Sequence, residues 1–197
     1  SKSYSGLERY VVDISGWQFK NHHDVALFCR DRSEIAKAAY SRHVPLWKIR
    51  EKAVGTPLLW VQMQRKWNEI LSSSKEVVLH LHAAGEIWFH MPWLLKRPPQ
   101  LKKVILHFHI WIDHSKRDPY HWGLYRLLDE VWTSSESAKT HLEKILPIDA
   151  SKIRVVPYGR NLEALNEDLG VLNREELRSS LGFSAQKDVV GLCVSRI

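Results

Sequence analysis

Residues 101–112, LKKVILHFHIWI, decide how the rest of this chain is read. Val104, Ile105 and Leu106 form the short β-branched-rich run of a strand buried on both faces of an α/β sheet. His107 and His109 follow two residues apart, so in a strand they point to the same face. The pattern recurs upstream: Val77, Val78 and Leu79 lead into His80 and His82, then Ala83-Ala84-Gly85. In open α/β sheets ligands sit beyond the carboxyl ends of the strands, so polar side chains at those ends are site candidates.

Working outward, helical patterns over 7–20, 34–40, 56–71, 86–95, 118–129, 136–146 and 174–181 alternate with strand patterns. The strands are expected over 24–29, 44–49, 77–82, 103–109, 131–133, 153–156 and 188–194. Ser33 and Ser135 stand where helix N-caps are needed, Pro57 suits a first helical turn, and Pro45 marks an edge strand. Such strict alternation specifies an α/β fold with a mainly parallel, Rossmann-like sheet. The chain opens at Tyr4-Ser5-Gly6, in the turn that follows the first strand of a doubly wound sheet, and closes inside a fresh strand. The expectation is a fragment lacking its first strand. Residues 1–165 form an incomplete first domain, and 166–197 form a linker helix and the first strand of a second, truncated domain.

The 197 residues are 44% apolar and 26% charged, as in an ordinary globular protein. A formal charge of +7 favours anionic partners, but neither a long Lys/Arg block nor a nucleic-acid motif is present, so nucleic acid is excluded. Cys29 and Cys193 both fall in strand patterns and read as buried thiols of a reducing compartment. No apolar run approaches the roughly 20 residues of a membrane span. A cytoplasmic protein is expected, with peripheral contact to an anionic membrane through Lys96, Arg97, Lys102 and Lys103 as the minor reading. Nine tryptophans suit either core packing or a sugar site.

An ordered series of segments resembles the N-terminal half of a family-4 glycosyltransferase of the two-Rossmann, GT-B type. Ser5-Gly6-Leu7-Glu8-Arg9 is similar to the family's Gly-Gly-x-Glu-Arg turn, and Asn21-His22-His23-Asp24-Val25 to its Arg-Gly-His-Glu-Val. Val78-Leu79-His80-Leu81-His82 and Leu106-His107-Phe108-His109 resemble its two strands ending in His. Val131-Trp132-Thr133-Ser134-Ser135 resembles its strand ending in Ser. The segment from Lys152 to Gly159, KIRVVPYG, is similar to its Lys-Ile-x-Val-Ile-Pro-Asn-Gly, and Val194-Ser195-Arg196 to its Val-Gly-Arg. Ser5, His22, Tyr158 and Ser195 depart from the pattern.

The resemblance implies transfer of a sugar, with retention of anomeric configuration, from a nucleotide-sugar donor to a glycan or lipid-linked acceptor. It implies no cofactor and no metal. His109 would face the transferred sugar as the catalytic group. Gly6 and Ser5 would let backbone approach the donor diphosphate, and Arg196 would bind it as a permanent cation. His82, with His107 on the neighbouring strand, would line the acceptor side of the cleft, whereas His80 reads as structural. A chain holding only the first domain would transfer nothing.

Two other readings stay open. His80, His82, His107 and His109 on adjacent strands offer four imidazoles to a metal ion, although no carboxylate nearby would orient them. The same fold also serves non-catalytic nucleotide- or lipid-binding modules.

Overall fold

A computed structural model describes residues 6–49 and 57–159, with 176 and 179. The chain divides into two compact units, Ser1–Gly159 and Arg160–Ile197. The expected helix over 174–181 and strand over 188–194 lie outside the described residues, apart from Glu176 and Ser179, which are helical.

Helix α1, Gly6–Lys20, is followed by strand β1, Leu27–Arg30, helix α2, Glu34–Ser41, and strand β2, Leu46–Ile49. Helix α3, Pro57–Ser73, leads to strand β3, Val77–Leu81, helix α4, Glu86–Lys96, and strand β4, Leu101–Phe108. Helix α5, Pro119–Tyr125, strand β5, Glu130–Thr133, helix α6, Glu136–Ile145, and strand β6, Ile153–Val155, complete the described order. Every described strand pair is parallel, as the βαβ alternation requires.

The capping residues act as their chemistry predicts. Ser33 and Ser135 accept from the backbone N–H of Ala36 and Ala138, and Asp118 accepts from that of His121 ahead of Pro119. Helix α5 ends at Tyr125, short of the expected 129. Leu128 instead drops into the core at 1% exposure, and the Asp129 carboxylate accepts from the Val104 N–H midway along β4.

Among the described residues the strands are divided between two parallel sheets. One is two-stranded, β1-β2, and the other four-stranded, β3-β4-β5-β6. Alternation places Leu27 and Leu46, partners in register, against a small cluster of Val12, Ala39 and Val44 contributed by α1, α2 and the turn before β2. The next pair, Phe28 and Trp47, packs on the main core.

Along α3 the apolar stripe Leu59, Met63, Trp67, Ile70 has helical spacing and is buried throughout. Trp67 stacks on Trp93 of α4 at 5.4 Å between centroids. The main core then continues through Leu79, Leu81, Val104, Leu106, Phe108, Val131 and Ile153. All seven lie on one face of the four-stranded sheet, since Leu79 pairs with Val104, Leu81 with Leu106 and Val131 with Ile153.

Candidate functional site

The opposite face of that sheet carries different chemistry. Strand periodicity turns His80 and His82, Ile105 and His107, Glu130 and Trp132, and Arg154 to this side. His109 follows β4 in the same alternation. The four imidazoles stand at the carboxyl ends of β3 and β4, as the repeated His-x-His pattern predicts. His107 lies 4.1 Å from His109 and 5.7 Å from His80 between ring centroids, and His82 lies 5.2 Å from His109.

Two tyrosines close the group. Tyr10 of α1 approaches His107 edge-on at 5.7 Å and His109 at 5.4 Å, and packs on Tyr158 at 4.8 Å. Tyr158, which follows β6 in the segment Pro157-Tyr158-Gly159, stacks on His109. Hydrogen bonds run along the tips: Nδ1 of His82 lies 3.0 Å from Nε2 of His109, whose Nδ1 lies 2.9 Å from the Tyr158 hydroxyl. Each imidazole in such a chain donates through one nitrogen and accepts through the other, so one choice of tautomer sets the next.

Glu86, at the start of α4, accepts from the backbone N–H of His82 at 2.8 Å and of Ala83 at 3.2 Å. It thereby fixes the turn that aims the His82 ring.

Burial keeps these rings neutral. It lowers the pKa of His80 and of His109 to about 4, with the nearby His80 adding to the shift at His109. His107 falls to about 3 and His82 to about 2, again through burial first and neighbouring imidazoles second. Near neutral pH the group is therefore a set of uncharged donors and acceptors, suited to hydroxyl groups or to a metal ion rather than to a phosphate. His107 is 1% exposed, and among the described residues neither of its ring nitrogens has a hydrogen-bond partner, nor does Nε2 of His80. One ring nitrogen from each of His80, His82 and His107 lies within 4.8 Å of the others.

Next to the imidazoles, Glu130 collects a separate charge network. Lys103 donates to it at 2.9 Å, the Trp132 indole at 2.7 Å, and Arg154 pairs with it at 3.1 Å. Burial pushes its carboxyl upward, but the bonds from Lys103 and Trp132 with the two cations bring it below the usual range.

The structure unites His82, His107 and His109 of the expected site and adds His80. Gly6 begins α1, about one helical turn before Tyr10, and a Cβ built on it would meet no atom within 4 Å, so the space beside it is open. Ser5 and Arg196 lie outside the described residues. In the basic cluster, Arg97 pairs with Asp129 and Lys103 with Glu130, so half of it is neutralised locally.

Sequence reasoning misses Tyr10, Glu86 and the role of Tyr158. Along the chain Tyr10 is only one member of the apolar stripe of α1. Tyr158 is visible only as a departure from Asn. The spacing from His82 to Glu86 is the one readable signal for the carboxylate, since an acid in a first helical turn commonly bonds nearby backbone N–H groups.

Among the described residues no helix is long and apolar enough to cross a membrane. No curated protein sequence matches the chain. Its fold is that of solved glycosyltransferase structures. A glycosyltransferase from Rickettsia africae superposes with a TM-score of 0.67 at 17% identity, over 92% of this chain and 47% of that one. Anabaena Alr3699/HepE in complex with UDP and glucose superposes with a TM-score of 0.61 at 14% identity, over 92% and 48%. The chain thus spans about half the length of these structures. With the parallel Rossmann-like architecture in place, a family model described as Glycosyltransferase Family 4 matches residues 4–164, most of the length, and the chain belongs to that family.

Proposed function

We propose that this chain is part of a retaining glycosyltransferase that moves a sugar from a nucleotide-sugar donor to a glycan or glycolipid acceptor. The observation that supports it is the hydrogen-bonded chain His82–His109–Tyr158 at the carboxyl tips of adjacent parallel strands, where α/β sheets take their ligands. The family match supports the reaction class. The Anabaena structures, in complex with UDP, with UDP and glucose, and with UDP-glucose, favour a uridine diphosphate sugar as donor.

In this reading the neutral His109 hydrogen-bonds a hydroxyl of the transferred sugar, taking one of the bonds it now makes to His82 or Tyr158. His82 lies toward the acceptor, and His107 packs behind both rings. As the bond between the anomeric carbon and the diphosphate breaks, negative charge gathers on the leaving phosphate. Backbone N–H groups at the start of α1, beside the open space at Gly6, would stabilise it, and the family resemblance gives a like role to Arg196. Cys29 is a buried free thiol, which suits a cytoplasmic location.

The test uses the whole chain with ¹⁵N-labelled histidine. Titration with UDP-glucose and with candidate acceptor saccharides is expected to move the His109 and His82 ring resonances, and His109→Ala is expected to weaken that binding at least tenfold. Unmoved rings at saturating sugar would overturn the reading. Transfer from radiolabelled UDP-glucose by this chain alone is expected to be undetectable, because it spans only about half of the similar structures. Measurable transfer would refute that division of labour.

A further inference from the structure

We propose that His80, His82 and His107 form a three-imidazole site for a divalent transition metal, of which zinc is the best match. The inference shares His82 and His107 with the sugar-transfer reading but does not rest on it, and it assigns the ion no step in it.

Three observations carry it. The first is convergence: two strands in register supply three imidazoles on one face, each with a ring nitrogen within 4.8 Å of the others. Zinc bound at 2.0–2.1 Å in tetrahedral geometry sets its ligand atoms roughly 3.4 Å apart. Small side-chain rotations, at most about 1.4 Å for the widest pair, therefore complete the site.

The second observation is the cost of leaving it empty. Among the described residues, His107 is 1% exposed with both nitrogens unpartnered, and Nε2 of His80 is buried and unpartnered. Buried polar atoms normally have partners, and several orphans on two neighbouring rings mark a site where a further group would be accommodated. An ion accepting one lone pair from each ring would give one nitrogen of His107 a partner, and His80 as well where Nε2 is its ligand atom.

The third is the tautomer. A metal-binding imidazole usually donates its other N–H to an outer partner, which fixes the ring. Nδ1 of His82 is engaged by His109, which is in turn engaged by Tyr158. If His82 donates to His109 and His109 donates to Tyr158, Nε2 of His82 is left with its lone pair free. No carboxylate orienter is needed, because an imidazole and a phenol take that place. Neutral nitrogen ligands and the absence of a thiolate or carboxylate favour zinc, copper or nickel over magnesium or calcium. A water molecule would fill the fourth position, and the ion would tie the tips of β3 and β4 together.

The experiment loads the whole chain, first stripped with a chelator, with Zn²⁺ or Co²⁺ alone. One ion per chain is expected, with the intense visible absorption of tetrahedral Co²⁺. X-ray absorption of the zinc form should show imidazole nitrogens and one oxygen, and no sulfur. His107→Leu and His80→Phe should each abolish the tetrahedral signal while circular dichroism shows a folded chain. Tyr158→Phe should weaken binding about tenfold through the His109–His82 chain. Replacing the exposed pair His22 and His23, in the turn after α1, by Ala should change nothing.

No uptake by the wild-type chain, a sulfur or carboxylate ligand, or uptake that survives His107→Leu but is lost without His22 and His23, each overturns the proposal. The wild-type stoichiometry and spectrum are read directly, so they decide the proposal even where a variant fails to fold.

Discussion

The two faces of the four-stranded sheet share the same backbone and differ in almost everything else. One face presents Leu79, Leu81, Val104, Leu106, Phe108, Val131 and Ile153 to the main core, where burial of apolar area from water stabilises the fold. The other presents four imidazoles, an indole and a paired glutamate, with three ring nitrogens left without partners among the described residues. Burying such atoms costs stability. The first face holds the molecule together, and the second places reactive groups at the strand tips at the first face's expense. The contrast is the one expected where a functional surface is built on a rigid sheet.

Substitutions on the apolar side should have the largest effects. Trp67→Ala, which removes a residue 1% exposed, its stacking on Trp93 and its bond to His90, should destabilise by about 3–5 kcal/mol in chemical denaturation. Leu106→Ala, within β4, should cost about 2–5 kcal/mol. A loss below 1 kcal/mol at either position would break the comparison, because the apolar face would then not be the stabilising one.

Acid acting on His90 alone should come next in size. The Trp67 indole donates to Nδ1 of His90 at 3.1 Å, and burial holds the His90 pKa at about 4, against an ordinary value of 6.5. Between those values the unfolded chain binds a proton that the folded chain refuses. Stability from this group is therefore intact above pH 6.5 and is lost as pH falls toward 4, by about 2 kcal/mol at pH 5. Melting temperatures from pH 7.5 to 5 should fall steeply for the wild type and less so for His90→Phe. An unchanged slope in the variant would assign the acid sensitivity elsewhere.

The smallest effect should sharpen the contrast most. In metal-free protein His107→Leu removes two unpartnered buried nitrogens and adds apolar volume, so its stability should stay within about 1 kcal/mol of wild type, or rise. A large destabilisation would mean that His107 is structural, and that the two faces are less different than their chemistry suggests.

Much of this was legible from the chain alone, for local reasons. The run at 104–106 and its copy at 77–79 are strands because β-branched and apolar residues cluster there between turn signals. His107 and His109 share a face because strand side chains alternate. Ser33, Asp118 and Ser135 cap helices because a short oxygen side chain reaches the free N–H groups of the first turn. None of these required knowledge of what lies across the fold.

What only the tertiary structure decided depends on distance through space rather than along the chain. Periodicity could not show that the strands divide into two sheets, since pairing is a property of partners and not of one segment. Nor could it place Tyr10 and Tyr158, 148 positions apart in numbering, ring against ring beside His109, or leave His107 with neither nitrogen bonded. A sequence fixes which groups a strand can offer to a face. Packing from remote elements fixes which of those groups find a partner, how far water is excluded, and therefore whether an imidazole at a strand tip is neutral, oriented and free to bind.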